Sequence, residues 1–482
     1  MKRSFKKTEE IKNIHMVAIC GMGMGSLAGL LREKGFELTG SDQNVYPPMS
    51  TQLEKMGISL YEGYQAENLM KRWPQGPDCV IIGNAVSRTN VEAAAVLENH
   101  FSYLSMPEAL CQFFLEGKES IVVAGTHGKT TTASLASWLL THAKKDPSFL
   151  VGGVLKNFEV SCHLGQGNCF VVEGDEYDTA FFDKGPKFVH YKPNRVILGA
   201  VEFDHADIYK DLNHVLSAFE KLIEVMPKEG HLYVDASSPH SLQLASRFQG
   251  TVTTYGLGGS ADLQAVSIKF SMEGATFELR RHGKRLGEIR TPLSGFHNIQ
   301  NLLGVIALLL DLDIPFEVIA EGIVLFQGVK RRQEIRGVVS DVVVMDDFAH
   351  HPTAIKKTIE AIRFRFPGYK LWAVFEPRSN TSRRNSFQKE FALSFLGADR
   401  VFLADLFMPE KIPEGERLDV LRVCREVEEA STGKIKATVH KNASEIIEQV
   451  LREVRPKTVL LIMSNGGFDN IHERLLGRLQ EI

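Results

Sequence analysis

The 482-residue sequence has few cysteines, no long apolar run and little net charge. Its six cysteines form no CxxC pair and no zinc spacing, and most lie in apolar runs, which indicates small buried side chains in a reducing compartment. No segment reaches about 18 uninterrupted apolar residues, and no apolar signal core follows the basic N-terminus. The net charge of −3 gives no electrostatic reason to expect nucleic acid or a membrane as partner. We therefore expect a cytoplasmic protein that holds any anionic ligand with local groups.

What the sequence does contain is a recurring unit of an apolar strand, a glycine turn and an amphipathic helix, in a chain long enough for two to four domains. Such alternation predicts an α/β protein with parallel sheets and ligands at the carboxyl ends of the strands. Residues from about 250 to 293 instead alternate apolar and polar side chains, which predicts an antiparallel addition to a middle domain. From about Val338 onward, the strands VVVMDD, LWAVFEP, VFLADL and TVLLIMS follow, with helical segments between them.

The first glycine turn follows a predicted strand, Ile14–Cys20, and precedes a predicted helix from Ser26 to about Lys34. Gly21 and Gly23, with Asp42 about 20 residues further on, resemble the dinucleotide fingerprint, but Ser26 stands where its third glycine belongs. Since backbone N–H groups at a helix start bind any diphosphate, the turn leaves an NAD-dependent oxidoreductase, another nucleotide-binding protein and a structural turn open.

The second glycine turn is more specific, because Gly128-Lys129-Thr130 stands at the start of a helix directly after the apolar strand Ser120–Ala124. Val123 replaces the first glycine of a generic P-loop, so the loop is the shorter GTHGKT. Loop N–H groups and Lys129 suit the phosphates of ATP, and the hydroxyl of Thr130 suits Mg²⁺. The turn therefore predicts a triphosphate site.

Acidic residues follow two further predicted strands. Cys169–Glu173 delivers Glu173 at its end, and the cluster Asp175, Glu176 and Asp178 comes next. The strand Val196–Ala200 is followed by Glu202, Asp204, His205 and Asp207. Because Mg²⁺ prefers oxygen ligands, Glu173 with Thr130 is an ordinary metal pair. From the residue types alone, His205 is equally a metal ligand or a hydrogen-bonded structural group.

Taken together, these motifs resemble the Mur ligase family along nearly the whole chain. GTHGKTTT resembles the family's ATP loop, EGDEYD its acidic metal segment, and EFDHAD the segment with its second metal ligand. GFHNIQN resembles the signature whose asparagines meet adenine, KRR the basic segment whose arginine reaches the γ-phosphate, and MDDFAHHP the segment whose aspartate binds the ribose. The ATP-site residues that the resemblance implies are Gly125, Thr126, His127, Gly128, Lys129, Thr130, Thr131, Asn298, Asn301, Arg332 and Asp347.

The resemblance also implies a fold, a reaction and a set of roles. We expect an N-terminal Rossmann-like UDP-sugar domain over residues 1–117, a central P-loop domain binding ATP and magnesium over 118–328, and a C-terminal Rossmann-like domain for the amine substrate over 329–482. The implied reaction is ATP-dependent amide formation. The implied catalytic residues are Lys129, Glu173, His205 and Arg332, and the implied metal ligands are Thr130, Glu173 and His205.

Substrate roles follow in the same way. The family places the first glycine turn on the UDP-sugar side, which implies that Gly21, Gly23, Gly25, Asp42 and Asn84 bind UDP-N-acetylmuramate. The segments EPRSNT and MSNGGF are similar to those of family members whose amine is the murein tripeptide L-alanyl-γ-D-glutamyl-meso-diaminopimelate. The residues expected to contact this peptide are His351, Arg378, Asn380, Ser464 and Asn465. A surface salt bridge is an equally good reading of Arg378.

Two segments depart from the family pattern. Several Mur ligases carry a carbamylated lysine downstream of the metal histidine, but Ala218-Phe219-Glu220 stands there, so that lysine is not carried over. EPRSNT continues as Ser382-Arg383-Arg384-Asn385, where relatives have a more apolar stretch, which leaves details of peptide recognition open.

The alternatives to a tripeptide ligase are a ligase that adds L-alanine, a folate-type ligase, a nucleotide-switch or binding protein, and an NAD-dependent oxidoreductase. The oxidoreductase would leave GTHGKTTT, Glu173 and Arg332 without a role.

Overall fold

The computed structural model describes residues 6–45, 49–204 and 208–481. The chain divides into two compact units. The first unit comprises Met1–Val201, Asn213–Thr254 and Gly304–Gly322. The second comprises Glu202–Leu212, Tyr255–Leu303 and Ile323–Ile482. In the described part of both units the structure is α/β, as the alternation of strands and helices predicts.

The first unit begins with a five-stranded parallel sheet in the order β3-β2-β1-β4-β5. Its strands are β1 (Asn13–Val17), β2 (Glu37–Asp42), β3 (Ser59–Glu62), β4 (Cys79–Ile82) and β5 (Tyr103–Ser105). The helices are α1 (Met22–Glu33), α2 (Met49–Lys55), α3 (Val91–Glu98) and α4 (Met106–Leu110). The buried strands β1 and β4 are neighbours in the middle of the sheet, and the strand order reverses between them, next to the point where the first glycine turn leaves β1. In open α/β sheets this is the position where ligands usually bind.

Helix α1 begins earlier than the sequence predicts. The predicted start at Ser26 is wrong, because Gly21 is the N-cap and the helix runs from Met22. Gly23 and Gly25 are thus helical residues rather than part of an open turn. A side chain at Gly25 would collide with Met49, since an added Cβ would lie 2.4 Å from the Met49 sulfur. Close packing against α2 therefore accounts for a glycine inside the first turn of this helix.

The first unit continues with a second sheet whose strand order includes β13-β12-β6-β9-β7-β8. Its strands are β6 (Glu119–Ala124), β7 (Ser148–Leu155), β8 (Val160–His163), β9 (Cys169–Gly174), β12 (Arg195–Leu198) and β13 (His231–Asp235), and a hairpin is formed by β10 (Asp178–Ala180) and β11 (Asp183–Pro186). The helices are α5 (Lys129–His142), α6 (Leu212–Glu224) and α7 (Pro239–Ala245). Parallel pairing of β6 with β9 and β12 brings their carboxyl ends together. Strand β14 (Thr251–Gly256) runs on into the second unit.

The second unit contains the predicted antiparallel addition, which is confirmed. β15 (Leu263–Ser271), β16 (Gly274–Arg281) and β17 (Lys284–Thr291) form an antiparallel meander. Strand β14 is parallel to β15, so the antiparallel pairing begins later than residue 250. Helices α8 (Phe296–Asp311) and α9 (Phe316–Val324) follow, and each crosses the boundary between the units.

The rest of the second unit is a six-stranded sheet in the order β18-β19-β23-β20-β21-β22. Its strands are β18 (Glu334–Val339), β19 (Val342–Asp347), β20 (Lys370–Phe375), β21 (Arg400–Ala404), β22 (Lys436–His440) and β23 (Thr458–Met463). The helices are α10 (Pro352–Arg365), α11 (Gln388–Ser394), α12 (Val420–Ala430), α13 (Ala443–Glu453) and α14 (Ile471–Leu479). Apolar clusters cover both faces of the sheet.

The four strands predicted in this region are confirmed as β19, β20, β21 and β23, and all are parallel to their neighbours within this set. The edge strand β18 is antiparallel to β19, which the alternation of strands and helices did not indicate.

All six cysteines are free thiols. Burial raises the pKa of Cys79, Cys162 and Cys424 to about 12, which agrees with the reading of cysteines as unreactive apolar side chains. Among the described residues, no helix is both long enough and apolar enough to cross a membrane.

Candidate active site

The loop Gly125–Thr130 leaves the carboxyl end of β6 and turns directly into α5. Gly125 has φ 128° and Gly128 has φ 80°, conformations that side chains rarely adopt. A Cβ on Gly125 would lie 3.2 Å from the backbone of Gly199. The N–H of Thr126 donates to the carbonyl of Ala200 at 2.9 Å, so the loop is fixed to the segment after β12. The glycines are therefore required by the turn and by close backbone packing.

Lys129 is the first residue of α5, and its ammonium group is held inside the loop. Nζ donates to the carbonyl of Gly125 at 2.9 Å and to Oε2 of Glu176 at 2.8 Å. Burial alone would lower the pKa of Lys129, but the carboxylates of Glu176, Asp175 and Glu173 outweigh it and raise that pKa. The site thus holds a permanent positive charge where a P-loop needs one.

Thr130 and Glu173 are brought together by the strand register. Glu173 lies near the end of β9, opposite Val123 of β6, and its Oε2 accepts the hydroxyl of Thr130 at 3.0 Å. Its Oε1 accepts the N–H of Gly152. A hydroxyl and a carboxylate side by side at the P-loop are the oxygen ligands that Mg²⁺ prefers, so these residues fit that ion.

The acidic segment after β9 divides between different partners. Asp175 pairs with Lys187 at 3.1 Å, whereas Asp178 pairs with the exposed Lys184 at 2.9 Å. Glu176 faces Lys129, a role that the sequence did not single out within EGDEYD. Burial, aided by the nearby carboxylates of Asp175 and Glu173, raises the pKa of Tyr191 well above its usual value. Only part of the cluster therefore belongs to the P-loop site.

The remaining residues of the loop and of the metal prediction are placed as follows. Thr126, between the two glycines of the loop, is buried, and His127 beside it is partly buried. Thr131, in the first turn of α5, is buried. His205, together with Asp207, lies outside the described residues. Asp204 is buried in the second unit, where its Oδ1 accepts the hydroxyl of Thr381 at 3.4 Å.

The residues predicted to bind the UDP-sugar all lie at the carboxyl edge of the first sheet. Gly21 and Gly23 are exposed at the start of α1, and Asn84 is exposed two residues after β4. Asp42 ends β2, and its Oδ2 accepts the N–H of Cys20 at 2.9 Å. The Asp42 carboxylate therefore holds the backbone of Cys20, the residue before the glycine turn. This contact is structural and is separate from the predicted contact with the UDP-sugar.

In the second unit, the predicted adenine residues lie in the first turns of α8. Asn298 is buried and donates from Nδ2 to the carbonyl of Ser294 at 2.9 Å, and Nδ2 of Asn301 is 3.4 Å from Oδ1 of Asn298. Gly295 has φ 94°, and a Cβ there would lie 2.5 Å from Ala361 of α10. The start of α8 is thus packed directly against α10.

Asp347, the predicted ribose ligand, is buried at the end of β19. Its carboxylate accepts the N–H of Gln333 and the N–H of Ala349, each at 2.8 Å. Burial raises the pKa of Asp347, and Arg332 opposes that rise. The guanidinium of Arg332 lies 4.6 Å from the ring centre of Phe348, which orients it by a cation–π contact.

The predicted amine-binding residues Arg378 and Ser464 lie at one edge of the last sheet, as expected for residues that follow neighbouring strands. Phe375 of β20 pairs with Met463 of β23. The buried Glu376 contacts both Ser464 and Arg378. Its carboxylate accepts the Ser464 hydroxyl at 2.6 Å and lies 3.6 Å from the Arg378 guanidinium. The sequence did not indicate Glu376, although it is the first residue after β20.

Arg378 makes an ion pair, which is one of the two interpretations that the sequence left open, while its contact with the peptide stays a prediction. It makes a salt bridge with Glu376, and its guanidinium stacks 3.9 Å from the ring centre of Phe407. It remains partly exposed, so it is available to a ligand. A Cβ on Gly466 would lie 2.1 Å from its Nε, so Gly466 is required for its position.

The loop after Arg378 is held from within by Arg383. This buried guanidinium donates to Oδ1 of Asn380 at 2.9 Å and to the carbonyls of Phe407 and Met408 at 3.1 and 3.3 Å. The departure from the family pattern at this position is therefore a structural anchor.

The other two residues of the peptide prediction have mixed surroundings. His351 is the buried N-cap of α10, where Nδ1 accepts the N–H of Thr353 at 3.3 Å. Asn465 is partly buried, and its Oδ1 is solvent-inaccessible without a hydrogen-bond partner among the described residues.

Comparison with known proteins gives three family matches along the chain. Residues 13–117 match the Mur ligase family, catalytic domain, residues 123–309 match the Mur ligase middle domain, and residues 331–466 match the Mur ligase, glutamate ligase domain.

Individual relatives cover nearly all of the chain. The sequence is 41% identical over 467 residues to the UDP-N-acetylmuramate–L-alanyl-γ-D-glutamyl-meso-2,6-diaminoheptandioate ligase of Escherichia coli K12, covering 97% of this chain and 98% of the relative. It is 33% identical to a UDP-N-acetylmuramate–L-alanine ligase of Alkaliphilus metalliredigens, covering 84% of this chain and 85% of that one. The crystal structure of a murein peptide ligase from Psychrobacter arcticus 273-4 is similar at 34% identity and a TM-score of 0.72, covering 98% of this chain and 99% of that one.

Proposed function

The chain belongs to the Mur ligase family, and we propose that it joins the carboxylate of UDP-N-acetylmuramate to the amine of L-alanyl-γ-D-glutamyl-meso-diaminopimelate in peptidoglycan recycling. ATP would be consumed through an acyl phosphate, with ADP and phosphate as products. The observation that carries the proposal is the grouping of Lys129, Thr130 and Glu173 at the glycine loop after β6. The 41% identity to the Escherichia coli tripeptide ligase supports the substrate assignment.

The reaction has an electrostatic problem that these residues address. A sugar carboxylate must approach the γ-phosphate of ATP, and two like charges about 4 Å apart repel by roughly 4 kcal/mol at an intermediate dielectric. Lys129 supplies a positive charge at the P-loop, and Arg332 is assigned to the γ-phosphate by the family pattern. Bound Mg²⁺, for which Thr130 and Glu173 are the proposed ligands together with His205, would neutralise phosphate charge and stabilise the transferring phosphoryl group.

The substrates are assigned to elements by the same pattern. The UDP-sugar is assigned to the edge of the first sheet with Gly21, Gly23, Gly25, Asp42 and Asn84. The adenosine is assigned to Asn298, Asn301 and Asp347, and the amine to the edge formed by Arg378 and Ser464 with His351, Asn380 and Asn465. The three-domain boundaries at 117 and 328 remain part of this proposal.

A product assay tests the proposal. The protein is incubated with ATP, Mg²⁺ and UDP-N-acetylmuramate, the tripeptide or L-alanine is offered separately, and the product is weighed by mass spectrometry. We expect a joined product and stoichiometric ADP with the tripeptide. A product with L-alanine alone would establish the L-alanine-adding activity instead, and ATP hydrolysis without any joined product would refute the ligase assignment.

A further inference from the structure

Arg331 stands beside Arg332 but has a different environment. Its Nη2 donates to two main-chain carbonyls, those of Ser464 and Gly466, each at 2.6 Å. Charge-assisted hydrogen bonds of this kind are among the stronger contacts in proteins. Arg331 thus joins the segment before β18 to a loop more than 130 residues further along the chain.

The same loop is also held by Glu376. The carboxylate of Glu376 accepts the Ser464 hydroxyl at 2.6 Å, and the Ser464 hydroxyl accepts the N–H of Gly466 at 2.9 Å. Arg378 packs against Gly466, where no side chain fits. The loop Ser464–Gly466 is therefore shaped by its carbonyl contacts with Arg331 and by its contacts with Glu376 and Arg378.

The backbone on both sides of Arg332 has an unusual conformation. Arg331 has φ 62° and Gln333 has φ 48°. The residue before Arg332 and the residue after it therefore both adopt the left-handed conformation. Such conformations persist where surrounding contacts over-determine them, and they cluster at ligand-binding sites. With this backbone, the Arg331 guanidinium contacts the loop and the N–H of Gln333 donates to Asp347.

We propose that Arg331 is a positioning residue for the amine substrate, which holds the loop Ser464–Gly466 in the shape that receives the peptide. The proposal rests on the proposed function, because it takes this loop as the peptide site. It gives the two neighbouring arginines different roles. Arg332 is assigned to the γ-phosphate of ATP, and Arg331 holds the loop assigned to the amine substrate. Released from Arg331, the loop and the packed Arg378 would lose their fixed arrangement.

Steady-state kinetics of Arg331→Ala tests this inference. We expect the KM for the tripeptide to rise about tenfold or more, while the KM for ATP changes by less than about threefold. Arg331→Lys keeps the charge but lacks the planar fork, so we expect an intermediate rise in the tripeptide KM. Should Arg331→Ala fail to fold, as judged by thermal unfolding, the lysine variant carries the test.

Arg336→Ala is the matched control. Arg336 is as exposed as Arg331 and lies at the same 3.6 Å from Asp346, but its other partners are Glu334 and Glu473 rather than the loop. We expect its tripeptide KM to stay near that of the wild type. An unchanged tripeptide KM in Arg331→Ala, an equal rise in Arg336→Ala, or full rescue by lysine would each overturn the inference. Absence of any joined product from the wild-type protein would instead reject the proposed function.

Discussion

Nζ of Lys129 lies 2.8 Å from Oε2 of Glu176, and the two side chains expose only 11% and 2% of their surface. The lysine is therefore charged and held within the P-loop by a neighbouring carboxylate. Burial opposes this charge, and Glu176 is the carboxylate that contributes most to raising the pKa of Lys129. This pair makes Glu176 a determinant of the pH range in which Lys129 carries its charge.

We predict that Glu176→Gln shifts the alkaline limb of the activity profile to lower pH. The substitution removes the largest opposing charge, so burial weighs more and the pKa of Lys129 falls. The measurement is kcat/KM for ATP against pH. Asp178→Asn is the control, since it removes a charge from the same segment that pairs with the exposed Lys184. Superimposable wild-type and Glu176→Gln profiles would contradict the prediction.

Lys129→Ala is expected to lower kcat by about 10²–10³-fold, because it removes a preorganised charge from the proposed site of phosphoryl transfer. The measurement is ADP release with both acid and amine present. Lys184→Ala, which removes an exposed lysine, should leave the rate near that of the wild type. A near-normal rate in Lys129→Ala would show that the P-loop lysine does not act in turnover.

Glu173→Gln should raise the Mg²⁺ concentration needed for half-maximal activity by at least about tenfold, because an anionic oxygen ligand becomes neutral. Titration of activity with Mg²⁺ measures this. At the partner position, Thr130→Val should behave like Glu173→Gln, whereas Thr130→Ser keeps the hydroxyl and should stay near wild type. If Glu173→Gln and Thr130→Val both titrate like the wild type, these residues do not bind the metal.

Arg378→Ala is expected to raise the KM for the tripeptide about tenfold, as the loss of a charged hydrogen bond to a peptide carboxylate implies. The KM for ATP should change little. Arg422→Ala on α12 is the control, since Arg422 pairs with Glu426 on the helix surface. An unchanged tripeptide KM would mean that Arg378 serves only as the partner of Glu376 and Phe407.

Glu92 supplies a stability prediction in the first sheet. Its buried carboxylate accepts hydrogen bonds from Ser41, Asn68 and the N–H of Gln65, and lies 3.6 Å from His15. Burial would raise the pKa of Glu92, but His15 first, then Ser41 and Asn68, lower it. Glu92→Ala should cost about 3 kcal/mol at neutral pH, measured by chemical denaturation, because buried donors lose their acceptor.

The pH dependence of this effect has a definite sign. A carboxyl with a lowered pKa in the folded protein contributes stability above its unfolded pKa, near 4.3, and loses that contribution as the pH falls through the folded value. The difference between wild type and Glu92→Ala should therefore shrink in acid. Glu98→Ala, exposed at the end of the same helix, should change stability by less than about 0.5 kcal/mol. A constant difference at all pH values would contradict this explanation.

Local sequence was sufficient to predict that Lys129, Thr130 and Glu173 lie close together at the glycine loop; their binding of metal and phosphate stays a prediction. Lys129 and Thr130 follow a strand and a glycine turn directly, and Glu173 ends a neighbouring strand, so parallel pairing alone brings them together. The start of α1 could not be predicted in this way, because glycines are poor helix formers and Gly25 is explained by Met49 from another helix. Strand β18 was missed because an antiparallel edge strand interrupts the pattern of alternating strands and helices.

Directions of side chains were beyond the sequence. EGDEYD presents four acidic residues, but only the fold shows that Glu176 faces Lys129 while Asp178 faces Lys184. Likewise, Lys330-Arg331-Arg332 reads as one basic segment. The left-handed backbone at Arg331 separates its two arginines, and no local signal marks that conformation for an arginine.

Arg383 has a consequence for engineering the amine site that we propose at Arg378. Its guanidinium holds the Arg378–Arg384 segment through Phe407, Met408 and Asn380, and a substitution of Arg378 leaves these three hydrogen bonds in place. Randomised libraries for new amine substrates should therefore vary Arg378 and keep Arg383. Replacing Arg383 would remove the contacts that hold the segment in place.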